Sequence, residues 1–186
     1  MAVKTMAKNT GTGQYNAGWH ELTISKATDG KWGDKRTIDL NFEGYPDNMR
    51  HRVFEASNKT TGEEFKIANL FRFACAGIIS VLNDPTGKNP LIQYDDEVTN
   101  LVGTRVNVLF VKETSTTDGK EYSETFDLVP VVQETEHITY TEDDVARLKH
   151  NVEKQHAKKV ATVTNGVCTV TLDTTTTIAG DAEVPF

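Results

Sequence analysis

The segment RTIDLNFE, residues 36–43, alternates polar and apolar side chains along its whole length. Ile38, Leu40 and Phe42 fall on one side of an extended chain, and the polar residues fall on the other. This period of two predicts a half-buried β-strand with its apolar side against a core. The neighbouring segments then decide what kind of sheet it belongs to.

Strands are predicted on both sides of this segment. WHELTISKAT (19–28) alternates in the same way, and DGKWGDK (29–35) carries the Asp-Gly and Gly signals of a turn. GYPDN (44–48) is a second turn, and RHRVFEA (50–56) a third strand. The first part of the chain is therefore predicted to be three strands joined by short turns.

The period changes to that of a helix in EEFKIANLFRFACAGIISVL, residues 63–82. The apolar residues at helical spacing are Ile67, Leu70, Phe71, Ala74, Ile78 and Val81. Glu63 and Glu64 suit the first turn of a helix, and Asn83-Asp84-Pro85 ends it. A polar loop is predicted to follow.

Two further strands are predicted at GTRVNVLFVK (103–112) and YSETFDLVPVV (122–132), with a turn at Asp118-Gly119 between them. Three strands, a helix and two strands is the order of the OB-fold, a five-stranded Greek-key barrel. An unrelated α+β sheet with the same order is the alternative. We expect a mainly β protein with an OB-like domain over residues 15–140, preceded by a flexible arm at 1–14.

Thr141 and Asp144 form a capping box that predicts a C-terminal helix over residues 141–159. Its apolar stripe consists of Val145, Leu148 and Val152. Residues 160–186 are predicted to be a linker and a tail. Within them, VATVTNGVCTVTL suits either a hairpin around Asn165-Gly166 or a flexible linker, and both interpretations stay open.

The composition, 37% hydrophobic and 25% charged, is typical of a soluble globular protein. The sequence begins without the apolar stretch of a signal peptide, and the longest apolar segment, Ile67–Leu82, is interrupted by polar residues. Cys75 and Cys168 have no metal or redox spacing, which favours a reducing compartment, the cytoplasm. A net charge of −7 means that an anionic ligand needs a local basic strip.

Catalysis is not expected, because the sequence contains no motif that pairs a nucleophile with a base. Asp95-Asp96-Glu97 and Glu142-Asp143-Asp144 are acidic clusters of the kind that holds magnesium. A solvated loop and a helix N-terminus explain them more simply. We therefore predict no catalytic residue, no cofactor and no metal.

Binding of a single nucleic-acid strand requires cations for phosphates and flat rings for bases along a groove. In an OB barrel the groove crosses the second and third strands between two loops. The predicted binding residues are Lys31, Trp32, Lys35 and Arg36 in the first loop, Arg50, Arg52 and Phe54 on one side of the third strand, and Lys112, Lys120 and Tyr122 around the last turn. Trp32 either stacks on a base or folds over the mouth of the barrel, and Phe54 belongs either to the site or to the core.

The chain ends with Asp181-Ala182-Glu183-Val184-Pro185-Phe186. Together with the barrel order, this segment resembles the bacterial and bacteriophage single-stranded DNA-binding proteins. In that family an acidic tail ending in Pro-Phe docks on replication, recombination and repair proteins. The resemblance assigns this role to Val184, Pro185 and Phe186, with Asp181 and Glu183 as the acids. Ala182 departs from the family's acidic run.

The resemblance implies a phage protein that coats single-stranded DNA without sequence preference in the cytoplasm of an infected host. It would act in replication, recombination or repair and recruit polymerase, helicase, primase or nuclease partners through its tail. The sequence leaves homo-oligomerisation open and predicts no membrane partner. One alternative is an OB-like protein-interaction module of a phage, and another is a nuclease that uses Asp95, Asp96 and Glu97.

Overall fold

The computed structural model describes residues 15–82, 91–115, 117 and 119–165, with side chains as far as residue 160. The strands are β1 (Gly18–Trp32), β2 (Lys35–Phe42), β3 (Arg50–Phe54), β4 (Ile78–Leu82), β5 (Leu91–Tyr94), β6 (Arg105–Thr114), β7 (Glu121–Pro130), β8 (Gln133–Glu134) and β9 (Thr139–Tyr140). The helices are α1 (Lys66–Ala74) and α2 (Glu142–Asn165), and a 3₁₀ helix lies at Val98–Leu101. The five predicted strands correspond to β1, β2, β3, β6 and β7.

These five strands form one antiparallel sheet in the order β3-β2-β1-β6-β7. The long strand β1 joins its two halves. Gly18–Thr23 pairs with β6, and Ile24–Trp32 pairs with β2, with a register shift between Ile24 and Lys26. A bulge of this kind bends a strand and increases its twist. The protein is therefore mainly β, with a curved five-stranded sheet as its body.

The sheet is not closed into the predicted barrel. In the part of the chain that the structure describes, no backbone ladder joins the edge strands β3 and β7. The side chain of Thr125 on β7 bonds to β3 across this gap. Its hydroxyl donates to the carbonyl oxygen of Arg50 at 3.3 Å and lies 3.1 Å from Nδ1 of His51.

The core lies on the side of the sheet that α1 covers, and the alternation in β2 predicts which of its residues are buried there. Ile38, Leu40 and Phe42 are buried, and α1 covers them with Ile67 and Phe71. A smaller apolar cluster lies between β6, β7 and α2, where Val152 packs with Leu109, Val111 and Val129. The sheet is thus covered on both sides over part of its area.

The helix predicted over residues 63–82 is shorter in the structure, and the prediction for the second half of this segment is wrong. Glu64 precedes the helix and caps it, because its carboxylate accepts from the backbone N–H groups of Ile67 (2.7 Å) and Ala68 (2.9 Å). Cys75 adopts a left-handed conformation with φ +49° and ends the helix. The β-branched residues that follow form β4, which pairs with β5 in the segment predicted to be a loop.

The turn predicted over 29–35 is also shorter. β1 continues to Trp32, which pairs with Lys35, so only Gly33 and Asp34 form the turn. Gly33 has φ +61°, as the first residue of a type II′ hairpin turn requires. Trp32 therefore lies on a strand, where pairing fixes the side of the sheet that it occupies.

The C-terminal helix begins as predicted. The backbone N–H groups of Thr141 and Asp144 each donate to the other residue's side-chain oxygen at 3.2 Å, which completes the capping box. The helix runs to Asn165, six residues beyond the predicted end. Residues 160–165 are therefore helical, and the remainder of the alternative hairpin lies outside the described residues. None of the described helices is long and apolar enough to cross a membrane.

Candidate nucleic-acid interface

The outer face of β1, β2 and β3 brings together several of the predicted binding residues. Residues opposite each other in an antiparallel pair share a face, and that face is used by every second residue. Trp32 pairs with Lys35, Asp39 with Arg52, and Asn41 with both Lys26 and Arg50. We call this surface the outer face; its charged and aromatic members are Lys26, Trp32, Lys35, Asp39, Arg50, Arg52 and Phe54.

Two aromatic rings are exposed on the outer face. Trp32 is 65% exposed and Phe54 40% exposed. Thr37 lies between them in register and is itself buried. Phe54 is not a core residue, and the indole of Trp32 presents most of its surface to solvent. Both rings are accessible to a flat ligand.

Next to Phe54 on the outer face, two arginines share one carboxylate. Nε of Arg52 donates to Oδ1 of Asp39 at 2.6 Å and its Nη2 donates to Oδ2 at 2.8 Å, a bidentate pair. Nη1 of Arg50 lies 3.4 Å from Oδ2 of the same carboxylate. The hydrogen bonds from Arg52, followed by the charges of Arg52 and Arg50, lower the pKa of Asp39, so it is an anion at neutral pH. The guanidinium carbon of Arg52 also lies 5.9 Å from the centre of the Trp32 ring.

Lys31 and Arg36, which were predicted to belong to the same site, lie on the opposite face of the hairpin. They pair with each other in register. The guanidinium of Arg36 bonds the carboxylates of Asp29 and Asp96, and these contacts raise its pKa further above its ordinary value. Arg36 thus ties the hairpin to the segment before the 3₁₀ helix and does not contribute to the outer face.

The residues predicted around the last turn do not join the outer face either. Nζ of Lys112 donates to the hydroxyl of Ser123 at 3.0 Å, and that hydroxyl in turn donates to the backbone of Tyr15. Tyr122 pairs with Glu113, on the side of β7 that α2 covers, and its hydroxyl lies 3.5 Å from the Glu113 carboxylate. Lys120 is exposed in the turn itself. The ten predicted residues therefore form separate groups.

A cleft of about 490 Å³ runs along the gap between β3 and β7, beside the outer face. Arg50, Arg52 and Phe54 form one wall, and residues 124–127 of β7 form the other. Nζ of Lys66 donates to Asp127 at 2.7 Å and closes the cleft on the side of α1. His51 lies in the wall with 5% of its surface exposed, and burial lowers its pKa to about 4. The imidazole is neutral at neutral pH.

The acidic clusters do not assemble a metal site. Asp96 is bonded to Arg36, Asp95 accepts from the backbone N–H of Glu97 at 3.1 Å, and Asp144 belongs to the capping box. No group of three or more His, Cys, Asp or Glu side chains suited to a metal ion occurs among residues that the structure describes. The predicted tail residues Asp181, Glu183, Val184, Pro185 and Phe186 lie outside that part of the chain.

Sequence reasoning missed two members of the outer face, Lys26 and Asp39. Asp39 was recognised as outward-facing, but its position opposite Arg52 follows from the strand register. A turn of known length between β2 and β3 is the signal that would have given that register.

Comparison of the chain with protein-family models finds no match. Comparison with curated protein sequences finds no significant similarity.

Proposed function

We propose that the protein binds single-stranded DNA without strong sequence preference, with the outer face as its binding surface. The observation that carries this proposal is that two exposed rings, Trp32 and Phe54, lie beside a pair of arginines on one face. Rings offer stacking platforms to unpaired bases, and cations neutralise the phosphates between them. Duplex bases are already stacked and do not expose their faces in this way.

The local charge supports the proposal in an otherwise acidic chain. The outer face carries four basic side chains, Lys26, Lys35, Arg50 and Arg52, and the single acid Asp39, a local net charge of +3. The side chains of Lys26 and Lys35 make no hydrogen bond or ion pair with another described residue, so both are available to a polyanion.

The strand order also supports the proposal. The order β3-β2-β1-β6-β7, with α1 between β3 and β6, is the one expected for a five-stranded Greek-key barrel that is open between its third and fifth strands. OB-folds bind single strands across their second and third strands, which correspond to β2 and β3 here. We propose an OB-like domain on this basis.

The remaining parts of the proposal concern partners and biological setting. Residues 181–186 would recruit replication, recombination or repair proteins, as their resemblance to the family's tail suggests. The protein would then act in the cytoplasm of an infected bacterium and would have no catalytic activity of its own. A pull-down of host and phage replication proteins with the full chain and with Phe186→Ala tests the tail separately from DNA binding.

Titration with oligo-dT tests the main proposal. Trp19 donates to Glu153 and lies against α2, away from the outer face, so a Trp19→Phe variant isolates the signal of Trp32. We expect quenching of Trp32 fluorescence on binding, and affinity that falls steeply with salt. Oligo-U and duplex DNA of the same length measure the preference for DNA over RNA and for single strands. Absence of binding to any oligonucleotide at low salt would refute the proposal.

One observation favours the alternative, a protein-interaction module. The antiparallel pair of β4 and β5 exposes Ile79, Leu82 and Leu91, and neither strand contains a charged residue. Exposed apolar patches often mark protein contacts, and uncharged edges do not repel a second copy of an acidic chain. This alternative predicts concentration-dependent self-association, abolished by Leu91→Ser, together with no oligonucleotide binding.

A further inference from the structure

We infer that the two outer-face arginines have different roles: Arg50 binds a phosphate, and Arg52 is a positioning residue that orients Trp32. The inference rests on the proposed function, because it assigns roles within the same surface. It starts from the contacts that each guanidinium already makes in the unliganded protein.

Arg52 is committed on two sides. Its Nε and one terminal nitrogen are bonded to Asp39 at 2.6 and 2.8 Å, and its guanidinium lies over the Trp32 ring at 5.9 Å. A carboxylate and a phosphate compete for the same edge of a guanidinium. A phosphate would therefore have to displace a partly buried bidentate carboxylate to bind Arg52 in that manner.

Arg50 is much less engaged. Its side chain is 52% exposed, and its ion pair with Asp39 is 3.4 Å long. Little has to be broken for Arg50 to turn towards a phosphate. The charges agree with this division, because Arg50, Arg52 and Asp39 together carry one net positive charge, enough to neutralise one phosphate.

The contact with Arg52 is needed to fix the orientation of the Trp32 ring. Trp32 lies at the end of β1, beside the hairpin turn, and Arg52 provides the only ring contact or hydrogen bond of its side chain to another described residue. Fixing an exposed ring before binding reduces the entropy lost when a base stacks on it. Asp39 holds Arg52, Arg52 holds one side of the indole, and the other side stays open to a base.

The salt dependence of binding separates the two roles. Each phosphate neutralised on a single strand contributes about 0.7 to the slope of log K against log salt concentration. Arg50→Gln is expected to reduce the slope by about 0.7. Removal of Arg52 alone would leave Asp39 to capture Arg50, so the matched variant is Asp39→Asn/Arg52→Gln, which keeps the same local net charge. It is expected to keep the wild-type slope and to bind several-fold more weakly at every salt concentration.

The free protein supplies a second readout, measured in the Trp19→Phe background. An indole held in one orientation gives a near-ultraviolet circular dichroism band. We expect Arg52→Gln and Asp39→Asn/Arg52→Gln to lose much of the Trp32 band, and Arg50→Gln to keep it, with far-ultraviolet spectra unchanged in all three. An unchanged band in the Arg52 variants, or a slope reduced by about 0.7 in the double variant, would overturn the inference. If the wild-type protein binds no oligonucleotide, the proposed function fails, whereas the circular dichroism still tests the contact between Arg52 and Trp32.

Discussion

His51 of β3 and Thr125 of β7 hold the two edge strands of the sheet together, with Nδ1 of the imidazole 3.1 Å from the threonine hydroxyl. The same hydroxyl donates to the backbone carbonyl of Arg50. It therefore has lone pairs left to accept from an N–H of neutral His51. Because no ladder closes this gap among the described residues, a few side-chain contacts determine how close β3 and β7 remain.

Thr125→Val is expected to destabilise the protein by roughly 1–3 kcal/mol, because it leaves a buried imidazole N–H without an acceptor. Thr125→Ser is the matched control, since it keeps the hydroxyl. Urea unfolding followed by circular dichroism measures both variants. A destabilised serine variant together with a valine variant as stable as the wild type would show that the methyl group matters and the hydrogen bond does not.

The stability of the protein should also fall between about pH 6.5 and pH 4 because of His51. Burial lowers the pKa of His51 from 6.5 to about 4. The charges of Asp127 and Asp39 act in the opposite direction, and the charge of Lys66 lowers the pKa further. The unfolded chain therefore takes up a proton in this interval that the folded protein does not, and acid favours unfolding. The free energy of unfolding is therefore larger above pH 6.5 by on the order of 3 kcal/mol, and this difference is lost as the pH falls towards 4.

Urea midpoints from pH 7.5 to 4.5 measure this dependence, and His51→Gln provides the control because glutamine does not titrate. Asp39 has a lowered pKa, so its stabilising contribution is lost only at more acidic pH. The variant should therefore show a flatter profile in this interval. An identical slope in wild type and variant would contradict the role of His51.

The strands could be predicted from the sequence more completely than the helix or the site. Alternation in residues 36–43 fixed the buried side of β2 correctly, because one residue placed out of register would expose a whole apolar row. The helical spacing of residues 63–82 gave a wrong prediction for Ile78 and Val81, because their positions fit a helix as well as they fit the strand β4. The left-handed Cys75 and the close approach of Gly77 to Asp95 end the helix, and both depend on tertiary structure.

The candidate site shows the same limit. Alternation in β3 placed Arg50, Arg52 and Phe54 on one face, as the structure has them. The face occupied by Trp32 and Arg36 depended on the length of one turn, and a two-residue turn sends them to opposite sides. The prediction placed Trp32 and Arg36 in one group because they are close in sequence, whereas the register of β1 and β2 puts them on opposite faces.

Gly77 provides a test of the segment that ends the helix. It has φ +63°, and a Cβ there would collide with the backbone oxygen of Asp95. Gly77→Ala is expected to cost at least about 2 kcal/mol, since it combines backbone strain with a clash that a side-chain rotation cannot relieve. Gly44→Ala, at φ +77° with open space around the Cβ, carries the strain alone and should cost about half as much. Thermal unfolding compares them, and equal losses would rule out the clash.

Trp32→Ala distinguishes the outer face from the larger set of residues predicted from the sequence. Loss of one stacking ring is expected to weaken oligo-dT binding by roughly 1–3 kcal/mol, or about 5- to 150-fold. Because the indole is 65% exposed, the unfolding midpoint should change little. Tyr122→Ala removes an aromatic ring that is 41% exposed on the α2 side of β7, and it should bind like the wild type. Anisotropy of a labelled oligonucleotide measures both variants without relying on tryptophan. A comparable loss in the two would place the strand across β7 and α2 as well as the outer face.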